Sequence, residues 1–418
     1  MPDVSVLNVQ LYGDTIGTLT HVGGDRTIFA FTESYIENDQ RPTLSLSFKD
    51  AFGGLITDIP PTQRRVAPFF ANLLPEGTLR DYLAERAGVH VEREFFLLWV
   101  LGRDLSGAVT VVPADGEAWP PKTDSAPAKS VEKNRANALR FSLAGVQLKF
   151  SAVKNAGKNG GLVIPAQGVG GEWIVKLPST RFEGVPENEY SMMALARAVG
   201  IDVPETQLID VASIDGLPEG LGTLNGQAFA IRRFDRTADG PVHIEDFAQV
   251  FGVFPEKKYK QASLRNIATV LAIESGDESI AEFIRRVVFS VLIGNADMHL
   301  KNWSVIYPDR RTPLIAPAYD FVSTIPYLED DSFALKFART REFAGFTLDE
   351  LSYLADKAGL PSRPTLAVAQ ETVGRFLAEW EGEKNHLPLA RAAVETIDRH
   401  LEALPLLRNL RGSWQYTG

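Results

Sequence analysis

Gly294-Asn295-Ala296-Asp297-Met298-His299-Leu300-Lys301-Asn302-Trp303-Ser304-Val305-Ile306 is the stretch on which the reading of this chain turns. Ahead of it Phe289, Val291, Leu292 and Ile293 have the apolar density of a buried helix, and Gly294 is a natural stop for one. A polar loop follows, with Asp297 five residues before Asn302, and then a short apolar strand. D-x-x-x-x-N is the spacing of a phosphoryl-transfer loop. There a carboxylate takes the proton of an attacking hydroxyl, and an amide oxygen holds a magnesium ion on the nucleotide phosphates. Downstream of the apolar Pro313 to Ile315, Pro317-Ala318-Tyr319-Asp320-Phe321 puts a second aspartate where kinases carry a metal-binding one. The competing reading makes Asp297 and Asp320 only a helix-terminal and a turn aspartate.

Upstream, Trp173-Ile174-Val175-Lys176-Leu177 sets a lysine inside an apolar strand, where an ammonium needs an anion. Glu189, thirteen residues on, begins a helix whose core face is Met192, Met193, Leu195, Ala196 and Val199. Strand lysine followed by helix glutamate is the pair that orients nucleotide phosphates in kinases. The alternative is a snorkelling lysine and a glutamate favoured by the helix dipole. The segment from Arg140 to Phe150 stands where a glycine-rich phosphate loop belongs, but Gly145 is its single glycine and no nucleotide-loop pattern is met. The glycines between Gly157 and Gly171 read as hairpin turns. Ala230 to Arg236 ends a strand where a hinge touching an adenine is expected.

Working outward, the runs Val4 to Leu11, Thr15 to Val22 and Arg26 to Thr32 predict a small antiparallel meander. From Thr62 to Leu101 the apolar spacing is helical, punctuated by Pro75 and Gly77, and Val109 to Val112 reads as a last strand. Pro113, Pro120, Pro121 and Pro127 mark a linker. From Ile244 onward nearly everything has helical periodicity, including Ile280 to Ile293 and Pro364 to Leu410. The expected organisation is a β/α subdomain over 1–115, a Pro-rich linker over 116–139, a β-rich nucleotide-binding lobe over 140–236 and a helical catalytic lobe over 237–418.

Composition narrows the function classes. The 418 residues are 44% hydrophobic and 23% charged, a globular balance that suggests two or three compact units. No cysteine is present, which removes thiolate metal sites and thiol nucleophiles, and six scattered histidines give no metal-ligand pairing. The formal net charge of -10 is not a nucleic-acid signature for the whole chain. No apolar run spans a bilayer, and the N-terminus does not read as a secretory signal, so no membrane association and a cytoplasmic location are expected.

Taken together, SLAGVQLKF, WIVKLP, NEY ahead of a helix, AIRRFDR, GNADMHLKN and PAYDF, in that order, resemble the HipA family of bacterial toxin-type serine/threonine kinases. RPTLSLSF, FFANLLPEG and GRDLSGAVTVVP extend the resemblance over nearly the whole chain. It implies an α+β, protein-kinase-like fold of two lobes, β-rich and all-helical, with an extra small N-terminal β/α subdomain. It implies ATP and magnesium as cofactors, Asp297 as the catalytic base, and Asn302 and Asp320 as metal ligands. Lys176 matches the phosphate-contacting lysine, with Glu189 its helix partner. Ala144, Gly145, Val146, Gln147 and Lys149 match the phosphate-binding loop, and Arg232, Arg233 and Phe234 the adenine hinge. His299 and Tyr319 line the same nucleotide site, and Ser142 matches a serine that members autophosphorylate. Leu148 and the pair Arg232-Arg233 depart from the common family residues. The implied partners are a helix-turn-helix antitoxin, HipB-like, and through it operator DNA. The implied substrate is an aminoacyl-tRNA synthetase such as the glutamyl enzyme, so translation and growth are inhibited unless the antitoxin holds the kinase. Two rivals remain open: a small-molecule phosphotransferase, and a catalytically idle co-repressor.

Overall fold

A computed structural model describes residues 5–115, 149–154, 162–164, 171–179, 181–217, 224–328 and 332–408. Chain contacts divide into two compact units, one of Met1–Leu177, Ile209–Pro255 and Ile306–Arg311, the other of Pro178–Leu208, Glu256–Val305 and Thr312–Gly418.

The first unit begins with β1 (Ser5–Leu11), β2 (Asp14–Val22) and β3 (Arg26–Phe31), an antiparallel meander as the alternating apolar residues predict. With β4 (Thr62–Gln63) and β5 (Val109–Pro113) they form a sheet of order β4-β3-β2-β1-β5. Leu7, Val9 and Leu11 all face the core, the period-2 consequence of the pleat. Beyond two short helical turns, Glu33–Glu37 and Pro68–Ala71, come the longer helices α1 (Gly77–Ala87) and α2 (Glu94–Leu101), and every residue of α2 is buried. Its first residue, Glu94, accepts hydrogen bonds from Val66 N at 3.0 Å and Arg80 Nη2 at 3.2 Å, which is how an acidic side chain is tolerated there.

The same unit holds a second sheet of β6 (Lys149–Lys154), β7 (Leu162–Val163), β8 (Trp173–Lys176) and β10 (Gln227–Arg232), in the order β7-β6-β8-β10. β9 (Thr206–Asp210) is next to β10 in this sheet, and its last residues, Ile209 and Asp210, belong to this unit. Leu7, Val9, Phe70, Leu98 and Val111 share one apolar cluster with Phe150, Val175 and Ala230, so the two sheets rest on a common core. A hairpin of β11 (Arg236–Thr237) and β12 (Gly240–Pro241) leads to β13 (His243–Asp246). Gly107, at φ +75°, lets the loop before β5 lie against β13, since a Cβ there would sit 2.7 Å from Ile244 N.

The second unit is mainly helical: α3 (Val185–Val199), α4 (Leu264–Glu274), α5 (Asp277–Leu292), α6 (Leu348–Ala358), α7 (Ser362–Glu383) and α8 (Arg391–Ala403). Asp277 and Glu278 in the first turn of α5 suit its dipole, and Phe283, Ile284, Val287, Val288 and Val291 bury one face. Phe289 meets Phe321 at 5.0 Å and Phe376 of α7 at 5.8 Å. The helical expectation beyond Ile244 needs correction at three places. Short strands occur at β13, at β14 (Ser304–Tyr307) and at β15 (Leu314–Ile315). Residues 316–342 contain no helix among those described, and the run from Pro364 to Leu410 breaks between α7 and α8, where Pro388 stands. No helix among the described residues is long and apolar enough to cross a membrane.

Candidate active site

In the second unit α5 ends at Ile293, and Gly294 turns the chain at φ +63°; a Cβ there would meet the Ile325 side chain at 2.4 Å. From Arg286 to Leu300 every residue is buried except one, Asp297. The loop that presents it is tightly tied. Asn295, 1% exposed, accepts a hydrogen bond from Asp297 N at 3.1 Å through Oδ1, while its Nδ2 reaches Asp320 O at 3.5 Å. Ala296 N donates to Thr324 Oγ1 at 2.8 Å, and that hydroxyl donates to Gly294 O at 3.1 Å. The Asp297 carbonyl accepts from His299 N at 2.8 Å and from Asn302 Nδ2 at 2.9 Å. The D-x-x-x-x-N spacing thus closes on itself, with the asparagine amide bonded to the backbone of the aspartate five residues earlier.

The segment carrying Asp320 is fixed from several sides within this unit. Ala318 N donates to Asp202 O at 2.8 Å, and Arg286 Nη1 donates to Ala316 O at 2.7 Å while its Nε pairs with Glu282 Oε1 at 2.8 Å. Ser323 N donates to Asn188 Oδ1 and Asn188 Nδ2 donates to Ser323 O, both at 2.9 Å. Between these anchors Asp320 takes φ 58°, the left-handed region that non-glycine residues rarely occupy. Strain of this kind persists only where surroundings over-determine it, and it concentrates at functional sites. The Tyr319 hydroxyl donates to Lys301 O at 2.9 Å and also shares a hydrogen bond with Ser304 Oγ, so it braces the loop from below. His299 is buried, with its ring edge-to-face against Tyr259 at 5.0 Å.

These residues fit a magnesium ion. Asn302 spends its amide nitrogen inside the loop, which leaves the amide oxygen as its ligating atom, and Asp320 adds a carboxylate. Two oxygen donors suit a cation that takes its remaining ligands from water and phosphate. No group of three or more histidine, cysteine, aspartate or glutamate residues that could hold a metal occurs among the described residues.

In the first unit, Lys149 of β6 and Lys176 of β8 are register partners, and on antiparallel strands directly opposed residues share a face. Lys176 is 7% exposed, with Nζ 5.7 Å from the Phe229 ring. Arg232 is exposed at the end of β10, paired in register with Trp173. Arg233 points elsewhere. Its guanidinium is buried and bonded to Asp104 Oδ1 at 2.9 Å, Asp235 Oδ2 at 2.9 Å and Leu105 O at 3.2 Å. Arg236 completes the group with Asp104 Oδ1 at 3.1 Å and Asp235 Oδ2 at 2.9 Å, and Gly107 N donates to Asp235 Oδ2 at 2.8 Å. Burial opposes the charge on Asp235, but the Arg233 guanidinium overrides it and holds the carboxyl below its ordinary range. The expected hinge therefore has one arginine in solvent and one locked to the loop after α2.

Glu189 is 1% exposed on α3. The linker 116–139, Ser142 and the loop residues Ala144, Gly145, Val146 and Gln147 lie outside the described residues. Two residues that bear on the site were not singled out in the sequence. Asn295 ties the Asp297 loop to the Asp320 turn, and its place two residues before the aspartate was the available signal. Tyr259 donates its hydroxyl to Asp297 Oδ1 at 2.7 Å from 38 residues upstream, and no spacing rule points to it.

Comparison with known proteins agrees along the length of the chain. A family model for the HipA N-terminal domain matches residues 7–112, and one for the HipA-like C-terminal domain matches residues 141–380. The chain is 60% identical over 409 residues to a Sinorhizobium fredii (strain NBRC 101917 / NGR234) protein named "Putative kinase Y4dM", covering 98% of this chain and 99% of that one. It is 28% identical over 405 residues to "Serine/threonine-protein kinase toxin HipA" of Shewanella oneidensis, covering 86% of each. Among solved structures it matches a chain of the Shewanella oneidensis MR-1 toxin-antitoxin complex of HipA, HipB and operator DNA, with a TM-score of 0.70 and 97% of each chain covered. Sequence identity in that match is 22%, so the likeness is one of fold.

Proposed function

The chain belongs to the HipA family, which includes serine/threonine-protein kinase toxins, and on that premise we propose that it transfers the ATP γ-phosphate to a protein serine or threonine hydroxyl. The observation that carries this reading is Asp297, the one exposed side chain in a buried run, on a loop braced by Asn302 and tied through Asn295 to Asp320.

In this reading Asp297 accepts the proton of the acceptor hydroxyl as its oxygen forms the new bond to phosphorus and the bond to the ADP oxygen breaks. Asn302 and Asp320 would hold a magnesium ion, which would supply neutralisation of the charge developing on the phosphates. Lys149 and Lys176 draw the phosphates onto the β6/β8 face, and Glu189 and the residues Ala144 to Gln147 take the roles that the family resemblance gives them. The hinge backbone from Arg232 to Phe234 meets the adenine, Arg232 being the arginine left in solvent. His299 and Tyr319 support the loop beside the nucleotide. The kinase-like division into a β-rich and a helical lobe, the segment boundaries at 115, 139 and 236, autophosphorylation at Ser142 and a cytoplasmic location belong to the same proposal. So do a HipB-like antitoxin with its operator DNA as partners, and an aminoacyl-tRNA synthetase such as the glutamyl enzyme as substrate.

The direct test is phosphate incorporation from ATP into the purified chain, with and without magnesium, for the wild type and for Asp297→Asn. The expected result is magnesium-dependent incorporation on serine or threonine that the variant loses while still binding ATP. Incorporation by Asp297→Asn near the wild-type rate rules out Asp297 as the base.

A further inference from the structure

Tyr259 belongs to none of the motifs above, yet its hydroxyl donates to Asp297 Oδ1 at 2.7 Å. That is the distance and the donor type expected of a serine or threonine hydroxyl about to surrender its proton to the same oxygen. We infer that Tyr259 is a guard on the acceptor position, occupying the base until a protein acceptor displaces it. The inference rests on the reading of Asp297 as the base.

Three observations make the phenol displaceable and not a fixed part of the loop. The backbone around it is anchored: Leu300 N donates to Lys258 O at 3.3 Å, and Lys260 N donates to Lys257 O at 3.0 Å. Its neighbour Lys258 is buried. Tyr259 itself is 38% exposed, with its ring edge-to-face against His299 at 83°, Lys258 Nζ 5.6 Å from the ring centroid and its hydroxyl on Asp297. A rotation about the side-chain torsions removes the hydroxyl from the carboxylate with no backbone movement.

Such a guard discriminates between acceptors. A protein acceptor brings a docking surface whose binding energy offsets the loss of the tyrosine bond, whereas water brings none. With the phenol in place the wasteful reaction is suppressed. In that reaction a water oxygen bonds to the γ-phosphorus, the bond to the ADP oxygen breaks and the water proton passes to Asp297, giving ADP and inorganic phosphate.

Tyr259→Phe tests this, because it keeps the ring on His299 and removes only the hydroxyl. The readout is inorganic phosphate released from ATP and magnesium by the full chain with no added acceptor; autophosphorylation does not contribute to it. The expected result is a rise of roughly ten- to hundredfold, of the size that one hydrogen bond to a charged group supplies, abolished in the Tyr259→Phe/Asp297→Asn double variant. Unchanged or reduced release in Tyr259→Phe overturns the guard, the reduced case making Tyr259 a support for the base. Phosphate mapped to Tyr259 in the wild type also overturns it, since the residue is then an acceptor. Asp297→Asn that still transfers phosphate identifies the failure as that of the base assignment.

Discussion

Two regions concentrate charge in this molecule, and they treat it in opposite ways. In the first unit Asp104, Asp235 and Arg233 are buried with the half-buried Arg236, and each carboxylate meets both guanidinium groups. In the second, Asp297 sits alone at the surface of a buried run, with a tyrosine hydroxyl on it and its backbone bonded on both sides. The quartet has its charge cancelled by its own neighbours and can only hold things in place. Asp297 keeps its charge reachable, and the rigidity around it lies in main-chain bonds that leave the carboxylate for chemistry. An aspartate is a candidate for catalysis when its loop is held by main-chain bonds and its carboxylate stays exposed.

Breaking each side of that contrast should separate activity from stability. Asp297→Asn is expected to lower phosphoryl transfer by about 10²- to 10⁴-fold. Its urea midpoint should stay close to that of the wild type, because an exposed side chain is changed and the loop keeps its backbone bonds. A large loss of stability would mean that the carboxylate is structural.

Arg233→Met is expected to do the reverse to folding, costing about 3 to 5 kcal/mol because Asp104 and Asp235 lose their central cation. Chemical denaturation measures it directly. A change below about 1 kcal/mol would show the quartet to be dispensable, and a double change of Arg233 and Asp235 to apolar residues should recover part of the loss.

A subtler case lies beside the quartet. Glu245 is buried without a cation and accepts bonds from Ser45 Oγ at 2.5 Å, Leu46 N at 2.9 Å and the Tyr307 hydroxyl. Burial pushes its carboxyl up to about 7, so its charge is silenced by a proton. Because the folded value lies above the unfolded one, this group makes stability fall as pH rises from its ordinary 4.5 through about 7. His243 is pushed down by burial from 6.5 to about 4, which makes stability rise across that interval. The two slopes oppose each other. Glu245→Gln should expose the histidine slope, with stability climbing by about 3 kcal/mol between pH 4 and 6.5, against a nearly flat profile for these two groups together in the wild type. Denaturation midpoints across that range check it, and parallel profiles for the two proteins would refute it.

The smallest expected effect sharpens the second region. Thr324→Val removes the acceptor for Ala296 N and the donor to Gly294 O, and should cost about 1 to 2 kcal/mol with a several-fold drop in transfer rate. Differential scanning calorimetry and incorporation kinetics would measure both, and an unchanged rate would show that the loop is held without it.

What could be read in the sequence follows the same division. Asp297, Asn302 and Asp320 stood out in the sequence because the spacing that points to them is local, within a few residues or one loop. The meander of β1, β2 and β3 was legible from alternation. β13 was not, since its two fully buried positions are His243 and Glu245 while Ile244 is only half-buried, the inverse of the pattern that reveals a strand. Asp104 lies 129 residues before Arg233, and Tyr259 lies 38 before Asp297, so their partnerships exist only once the chain has folded. The bracing role of Tyr319 was hidden likewise, because its hydroxyl serves a carbonyl 18 residues away.

The shared core of the first unit sets a limit on how this protein can be divided and reused. Family models part the sequence at residues 112 and 141, as though two transferable modules had been joined. Yet Val9, Leu98 and Val111 on one side and Phe150, Val175 and Ala230 on the other are members of a single apolar cluster. A gene fragment that began at 141 would therefore carry β6, β8 and β10 with part of their interior open to water. The N-terminal segment supplies part of the floor on which Lys149 and Lys176 stand.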